Sequence, residues 1–279
     1  MIEVKNISIF RQKKQIVKEV SFQIRPGHIS VMLGNNGAGK TTIFDALAGT
    51  DPPQVGQVIW DGQPLEQISL PEQATRRAVL SQGLDTPFAL TVQDIVEMGT
   101  YGSQTPLPNS VIQALVDRAL GQVELSSFRQ RTFHTLSGGE RKRALFAKCL
   151  VQLSLNQHAG HQQYLLLDEP TANLDVQQQF NLLALIRKAV QAMNLGVLAI
   201  LHDINLAAQL ADELLMLRQG ELVAMGSPWK VLTPATLLNF MGIHAQIDTH
   251  PQLDCPHITY LNPVTIDKPI SQSTSNPSK

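Results

Sequence analysis

The octapeptide Gly34-Asn35-Asn36-Gly37-Ala38-Gly39-Lys40-Thr41 constrains this chain more than any other segment, because it satisfies the phosphate-binding pattern GxxxxGK[ST]. The pattern carries meaning only between a buried strand and the start of a helix. His28–Leu33 reads as that strand, and the stretch from about Gly39 to Leu47 reads as that helix, closed at Ala48-Gly49. Glycines let the backbone wrap a phosphate, so the N–H groups from Gly34 to Thr42 and the helix N-terminus are expected to face negative charge. Lys40 is expected to reach the β- and γ-phosphates of ATP, and the Thr41 hydroxyl to hold Mg²⁺.

Two further segments fit the same chemistry. Tyr164-Leu165-Leu166-Leu167-Asp168-Glu169 is an apolar strand ending in two acids, with Asp168 placed for Mg²⁺ and Glu169 for the water that attacks the γ-phosphate. Leu136-Ser137-Gly138-Gly139-Glu140 sets a serine and two glycines at a helix start, where free N–H groups bind a second phosphate. One chain has little use for two γ-phosphate sites around one ATP, so this tip is expected to serve a nucleotide held by another copy.

The rest of the chain alternates in a way that suits these motifs. Glu3–Ile9, Val20–Ile24 and Gln57–Trp60 read as strands. From about residue 85 to 160 the periodicity is helical, with Val92–Met98, Val111–Val123 and Gly138–Leu153 as helices. Strand and helix then alternate over Tyr164–Leu167, Val176–Met193, Gly196–Leu201 and Ile204–Leu210, which argues for a largely parallel sheet covered by helices.

Composition narrows the partners. With 279 residues and 43% apolar content the chain can bury a large core, and 22 basic against 23 acidic residues give no reason to expect nucleic acid or an anionic membrane surface as partner. Its first residues, Met1-Ile2-Glu3-Val4-Lys5, read as a strand rather than a secretory leader. The apolar stretch Leu182–Leu201 is interrupted by Arg187 and Lys188 and is not expected to cross a bilayer. Cys149 and Cys255 are expected to be free thiols.

With these motifs in this order, the chain resembles the ATP-binding subunits of ABC transporters over residues 1–243. The resemblance implies an α/β, P-loop NTPase fold of ABC type, with a mostly parallel core sheet, an antiparallel β subdomain and a helical lobe. The core would span about 1–84 and 161–243, the lobe about 85–160, and a tail 244–279 would end in disorder. It implies that Phe10 stacks on adenine, that Gln82 touches Mg²⁺ and water, that Asp175 in Asn173-Leu174-Asp175 helps build a partner's site, and that His202 contacts the γ-phosphate. It also implies a homodimer sandwiching two ATP molecules, on two integral-membrane permease subunits at the cytoplasmic face of the inner membrane.

Within the family, His202-Asp203-Ile204-Asn205-Leu206-Ala207-Ala208-Gln209-Leu210-Ala211-Asp212 and the tail segments His250-Pro251 and Pro256-His257-Ile258 resemble importers of ferric chelates, cobalamin and haem. An extra polar segment, Ser154 to Gln163, resembles the haem-import branch, which uses a periplasmic haem-binding protein that this subunit would not touch. His158, His161 and Cys255 read as loop and tail residues rather than haem ligands. The alternatives are a ferric-siderophore or cobalamin importer and, from another class, a soluble ABC ATPase without a membrane partner.

Overall fold

A computed structural model of the chain describes residues 1–81, 83, 88–103, 105–156 and 160–261. In chain order these form β1 (Ile2–Arg11), β2 (Lys14–Ile24), β3 (Ile29–Leu33), α1 (Lys40–Ala48), β4 (Val55–Trp60), β5 (Gln63–Pro64), α2 (Leu70–Arg76) and β6 (Arg77–Leu80). There follow α3 (Val92–Glu97), α4 (Asn109–Gln122), α5 (Gly138–Leu155), β7 (Tyr164–Asp168), α6 (Val176–Met193), β8 (Gly196–Ile200) and α7 (Ile204–Leu210). The chain continues through β9 (Glu213–Arg218), β10 (Glu221–Gly226), α8 (Pro228–Val231), α9 (Pro234–Met241), β11 (Ala245–Thr249) and β12 (Pro256–Tyr260).

Among the described residues the main sheet runs in the order β10-β9-β3-β8-β7-β6, parallel throughout except for the antiparallel edge strand β10. Every residue of β3 and β8 is buried, as a parallel strand covered on both faces requires. Successive side chains of β7 enter opposite cores. Leu165 and Leu167 join Val197, Ala199 and the helices α3 to α6, whereas Tyr164 and Leu166 join Leu198, Ile200, α1 and Trp60. The second core is roofed by an antiparallel sheet of order β2-β1-β4-β5, which supplies Ile2, Val4, Ile7, Ile9 and Val20. None of the helices is long and apolar enough to cross a membrane, among the described residues.

This topology fixes where chemistry can occur. β3, β7 and β8 run side by side in one direction, so the segments that follow them, starting at Gly34, Glu169 and Leu201, emerge along one edge of the sheet. Ligands of open parallel sheets bind at that carboxyl edge. The helical stretch between β6 and β7 stands beside it, with α3 entered through a reciprocal Thr91–Asp94 capping box and packed with α4 on α5.

Besides α2, β9, β10, α8 and α9, which the sequence pattern does not mark, three stretches depart from what it suggests. β2 begins at Lys14 rather than Val20, because an edge strand accommodates the polar residues Lys14, Gln15, Lys18 and Glu19. The helix after Thr91 tightens into a 3₁₀ turn over Met98–Gly102. The chain after His244 is folded as the antiparallel hairpin β11–β12, with Ala245 and Ile258 inside the main core, while the stretch expected to be disordered lies outside the described residues.

Asn205 holds the hairpin. Its side-chain NH₂ donates to Ile258 O at 3.0 Å and its Oδ1 accepts from Ile258 N–H at 2.8 Å, so the two segments that mark the chelate-importer resemblance form one structural unit. Replacing Asn205 by Ala leaves both backbone groups unpaired and is expected to destabilise the protein by about 2 kcal/mol. Hydrogen exchange should then accelerate in 245–260 while β3 and β8 stay protected; unchanged exchange in the hairpin would contradict the assignment of Asn205 as its anchor.

Candidate functional site

The loop between β3 and α1 is built by glycines with separate reasons. A Cβ on Gly34 would lie 2.5 Å from Leu217 O, and Gly39 has φ +101° with Ile16 O at 3.1 Å from a Cβ position. Gly37, at φ +78°, borders open space. Helix α1 has no side-chain cap, so the N–H groups of Lys40, Thr41 and Thr42 have no acceptor within the helix. Asn35, Asn36 and Thr41 are exposed and Ala38 is buried.

Lys40 is only 6% exposed and curls back across its own loop, donating from Nζ to Gly34 O at 2.7 Å and Asn35 O at 3.2 Å. Burial lowers its pKa, and the charges of Glu169 and Asp168 oppose that shift. An ammonium held by neutral carbonyls in a partly desolvated loop is a strong receptor for an anion that also meets the free N–H groups of α1.

Asp168 ends β7, and Glu169 opens the following turn in the left-handed region at φ +47°. Asp168 Oδ1 is buried with no hydrogen-bond partner among the described residues. Burial, then the Glu169 and Asp45 charges, raise its pKa against the lowering effect of Lys142 and Lys40. An orphaned carboxylate oxygen fits a hard divalent cation such as Mg²⁺. Among the described residues no group of three or more His, Cys, Asp or Glu side chains is placed to hold a metal.

Glu169 is paired. His202, which follows β8, places Nε2 at 2.6 Å from Glu169 Oε1. With the Glu169 carboxylate accepting, Nε2 is the donor of this pair, and among the described residues no hydrogen bond occupies Oε2. Lys142, on α5, was not singled out by the sequence reading; it is 7% exposed and interacts electrostatically with Asp168 and Glu169. The only signal for it was a lysine at a core-facing position of an amphipathic helix.

Ser137, Gly138, Gly139 and Asp175 form a second cluster at the starts of α5 and α6. Ser137 Oγ accepts from Glu140 N–H at 3.3 Å while Glu140 Oε2 accepts from Ser137 N–H at 2.7 Å, a reciprocal capping box that lowers the Glu140 pKa. Asp175 Oδ1 caps α6 by accepting from Gln178 N–H at 2.8 Å. Gly138 faces Asn173 and Leu174, and Gly139 faces Gln178. Phe10 is 39% exposed and pairs with Gln15, beside the Ile16 that touches Gly39, so its ring stands on the hairpin that flanks the loop. Gln82 and His158 lie outside the described residues, and His161 is exposed. A groove of about 520 Å³ adjoins the loop, between Asn35–Ala38, the Arg218-Gln219 turn and the end of α9.

A glycine-lined anion loop, an orphaned acid and a histidine-held carboxylate on one sheet edge define a nucleoside-triphosphate hydrolase. The family profile described as ABC transporter matches residues 17–172, and the chain belongs to that family as an ATP-hydrolysing subunit. Among its relatives, the hemin import ATP-binding protein HmuV of Hahella chejuensis is 38% identical over 92% of this chain and 99% of its own. The protein of that name from Bordetella pertussis is 40% identical over 90% and 96%. A chain of a metal-chelate type ABC transporter in an inward-facing conformation superposes with a TM-score of 0.78 at 25% identity, covering 95% of this chain and 99% of that one. A dimeric bacterial ABC transporter cassette superposes with a TM-score of 0.71 at 22% identity, covering 81% and 98%.

The raised pKa of Asp168 has a consequence for stability. A group whose folded pKa exceeds its unfolded value costs stability when ionised, fully above the folded pKa, and the cost disappears as pH falls through it. Asp168→Asn is therefore expected to raise the melting temperature of the nucleotide-free, magnesium-free protein at pH 7, with the gain shrinking toward the ordinary carboxylate range. A pH-independent difference would contradict this origin.

Proposed function

We propose that the chain powers haem (hemin) import: two copies sit on two permease subunits at the cytoplasmic face of the inner membrane and close around two ATP molecules. The chemistry rests on one observation above all, the Glu169–His202 pair standing on the sheet edge that also carries Asp168 and the Lys40 loop. The haem cargo is supported by relatives named for hemin import, which this chain matches along nearly their whole lengths.

In this reading, the N–H groups of Gly34, Asn35, Asn36, Gly37, Ala38, Gly39, Lys40, Thr41 and Thr42 cradle the phosphates, Lys40 turns from its loop carbonyls to the β- and γ-phosphates, and Phe10 stacks on adenine. Thr41, Asp168 and Gln82 would hold Mg²⁺, which when bound offsets charge on the phosphate oxygens. Glu169 accepts the water proton at Oε2 while His202 holds Oε1 and faces the γ-phosphate. Ser137, Gly138, Gly139 and Asp175 complete the site of the other copy. Only ATP spans both halves, because ADP lacks the group that the Ser137 tip would bind, so closure follows the γ-phosphate. A periplasmic haem-binding protein would deliver cargo to the permease without touching this subunit.

Glu169→Gln is expected to lower kcat by at least about 100-fold while MgATP still binds and a dimer accumulates on size exclusion. Lys40→Ala is expected to lose nucleotide binding itself, measured by titration calorimetry. Cargo is decided by ATP-driven uptake into vesicles holding this chain and its permease, offered haem, a ferric siderophore and cobalamin in parallel. Haem uptake abolished by Glu169→Gln is the expected result. Uptake of another chelate alone would keep the motor and overturn the haem assignment.

A further inference from the structure

The two glycines at the tip of α5 have different surroundings. Gly138 is exposed, and a Cβ there would make only an ordinary contact, 3.7 Å from Asn173 O, so nothing in its own chain demands a glycine. Gly139 is buried, and a Cβ there would collide with Oε1, Cδ and Cγ of Gln178. The Gln178 side chain thus fills the space that the missing Cβ leaves, and it does so from α6.

Gln178, in the first turn of α6, is also tied to the turn that begins at Glu169. Its N–H donates to Asp175 Oδ1 at 2.8 Å, and the neighbouring Gln179 donates from Nε2 to Leu174 O at 3.0 Å. Leu174 is buried in the main core together with Leu136, the residue before Ser137. Leu174 N–H donates to Thr171 O at 3.3 Å and Ala172 N–H to Glu169 O at 3.2 Å. Glu169 and Asn173 both hold left-handed backbone, at φ +47° and +61°, a conformation that Asn accommodates readily and that Glu adopts only rarely. Residues 137–139 and 169–178 therefore form one packed unit, and the Gln178–Gly139 contact closes it.

We propose that Gln178 is a positioning residue that locks the Ser137 tip, which reads the partner copy's ATP, to the turn that carries Glu169 in its own site. The proposal rests on the two-copy reading above. Closure on one ATP displaces the tip, the glutamine carries that displacement into the turn, and Glu169 at the other site is set in place, so the two sites act together.

The test is the ATP dependence of hydrolysis by the full-length chain. A positioning role predicts that Gln178→Ala lowers the Hill coefficient from near the site number, about 2, to about 1. Its kcat should fall by roughly 5-fold or more, with binding of a fluorescent ATP analogue to the single subunit unchanged. Gln178→Met preserves shape and fold and should keep the wild-type coefficient. Gln178→Ala with an unchanged coefficient, or Gln178→Met behaving like Gln178→Ala, overturns the proposal. Glu169→Gln separates the two claims: if it fails to dimerise with ATP, the two-copy reading fails and takes this proposal with it. If it dimerises while Gln178→Ala stays cooperative, only the role of Gln178 is lost.

Discussion

Charge gathered at the carboxyl edge of a buried parallel sheet is the constraint on which the rest of this structure depends. Lys40, Lys142 and Asp168 meet beside Glu169, where desolvation works against the ionised form of each of those three and opposite charges only partly compensate. The scaffold tolerates this because β3, β7 and β8 are packed on both faces and cannot shift to relieve it. A polyphosphate with a divalent cation would resolve such an arrangement, supplying anionic oxygens to the lysine and positive charge to the orphaned acid.

The same sheet couples two cores with different tasks. One carries α1 and the antiparallel roof that flanks the loop with Phe10; the other carries the helices whose leading tip ends in Ser137. The tip and the base sit at opposite ends of the segment 137–139 and 169–178, held by hydrogen bonds and by the Gln178 packing. An arrangement of this kind has little intermediate freedom, because packed contacts shift between discrete states rather than stretch.

The phosphate loop, the two acids and the Ser137 tip could be picked out as candidates because each joins unusual local chemistry to a regular element, a strand before the loop and the acids and a helix after the loop and the tip. The buried strands were equally clear from uninterrupted apolar runs. Polar edge residues hid the start of β2, and the hairpin after His244 was invisible because its anchor, Asn205, lies far away in sequence. Lys142 and Gln178 escaped for the same reason: their meaning comes from what faces them across helix contacts, and no local pattern encodes that. Gln82 was an expectation carried by the family resemblance, and it lies outside the described residues.

The shared site is the central claim, and a cysteine pair tests it most directly. Cys149 is fully buried, with its thiol pushed up to about 11, and Cys255 is 6% exposed with its pKa also raised by burial, so background oxidation is slow. With Asn36→Cys and Ser137→Cys added to the Glu169→Gln chain, mild oxidant and MgATP are predicted to give a covalently linked dimer, and MgADP is not. Monomer alone in MgATP, or equal cross-linking in both nucleotides, would contradict a site that two copies build around the γ-phosphate.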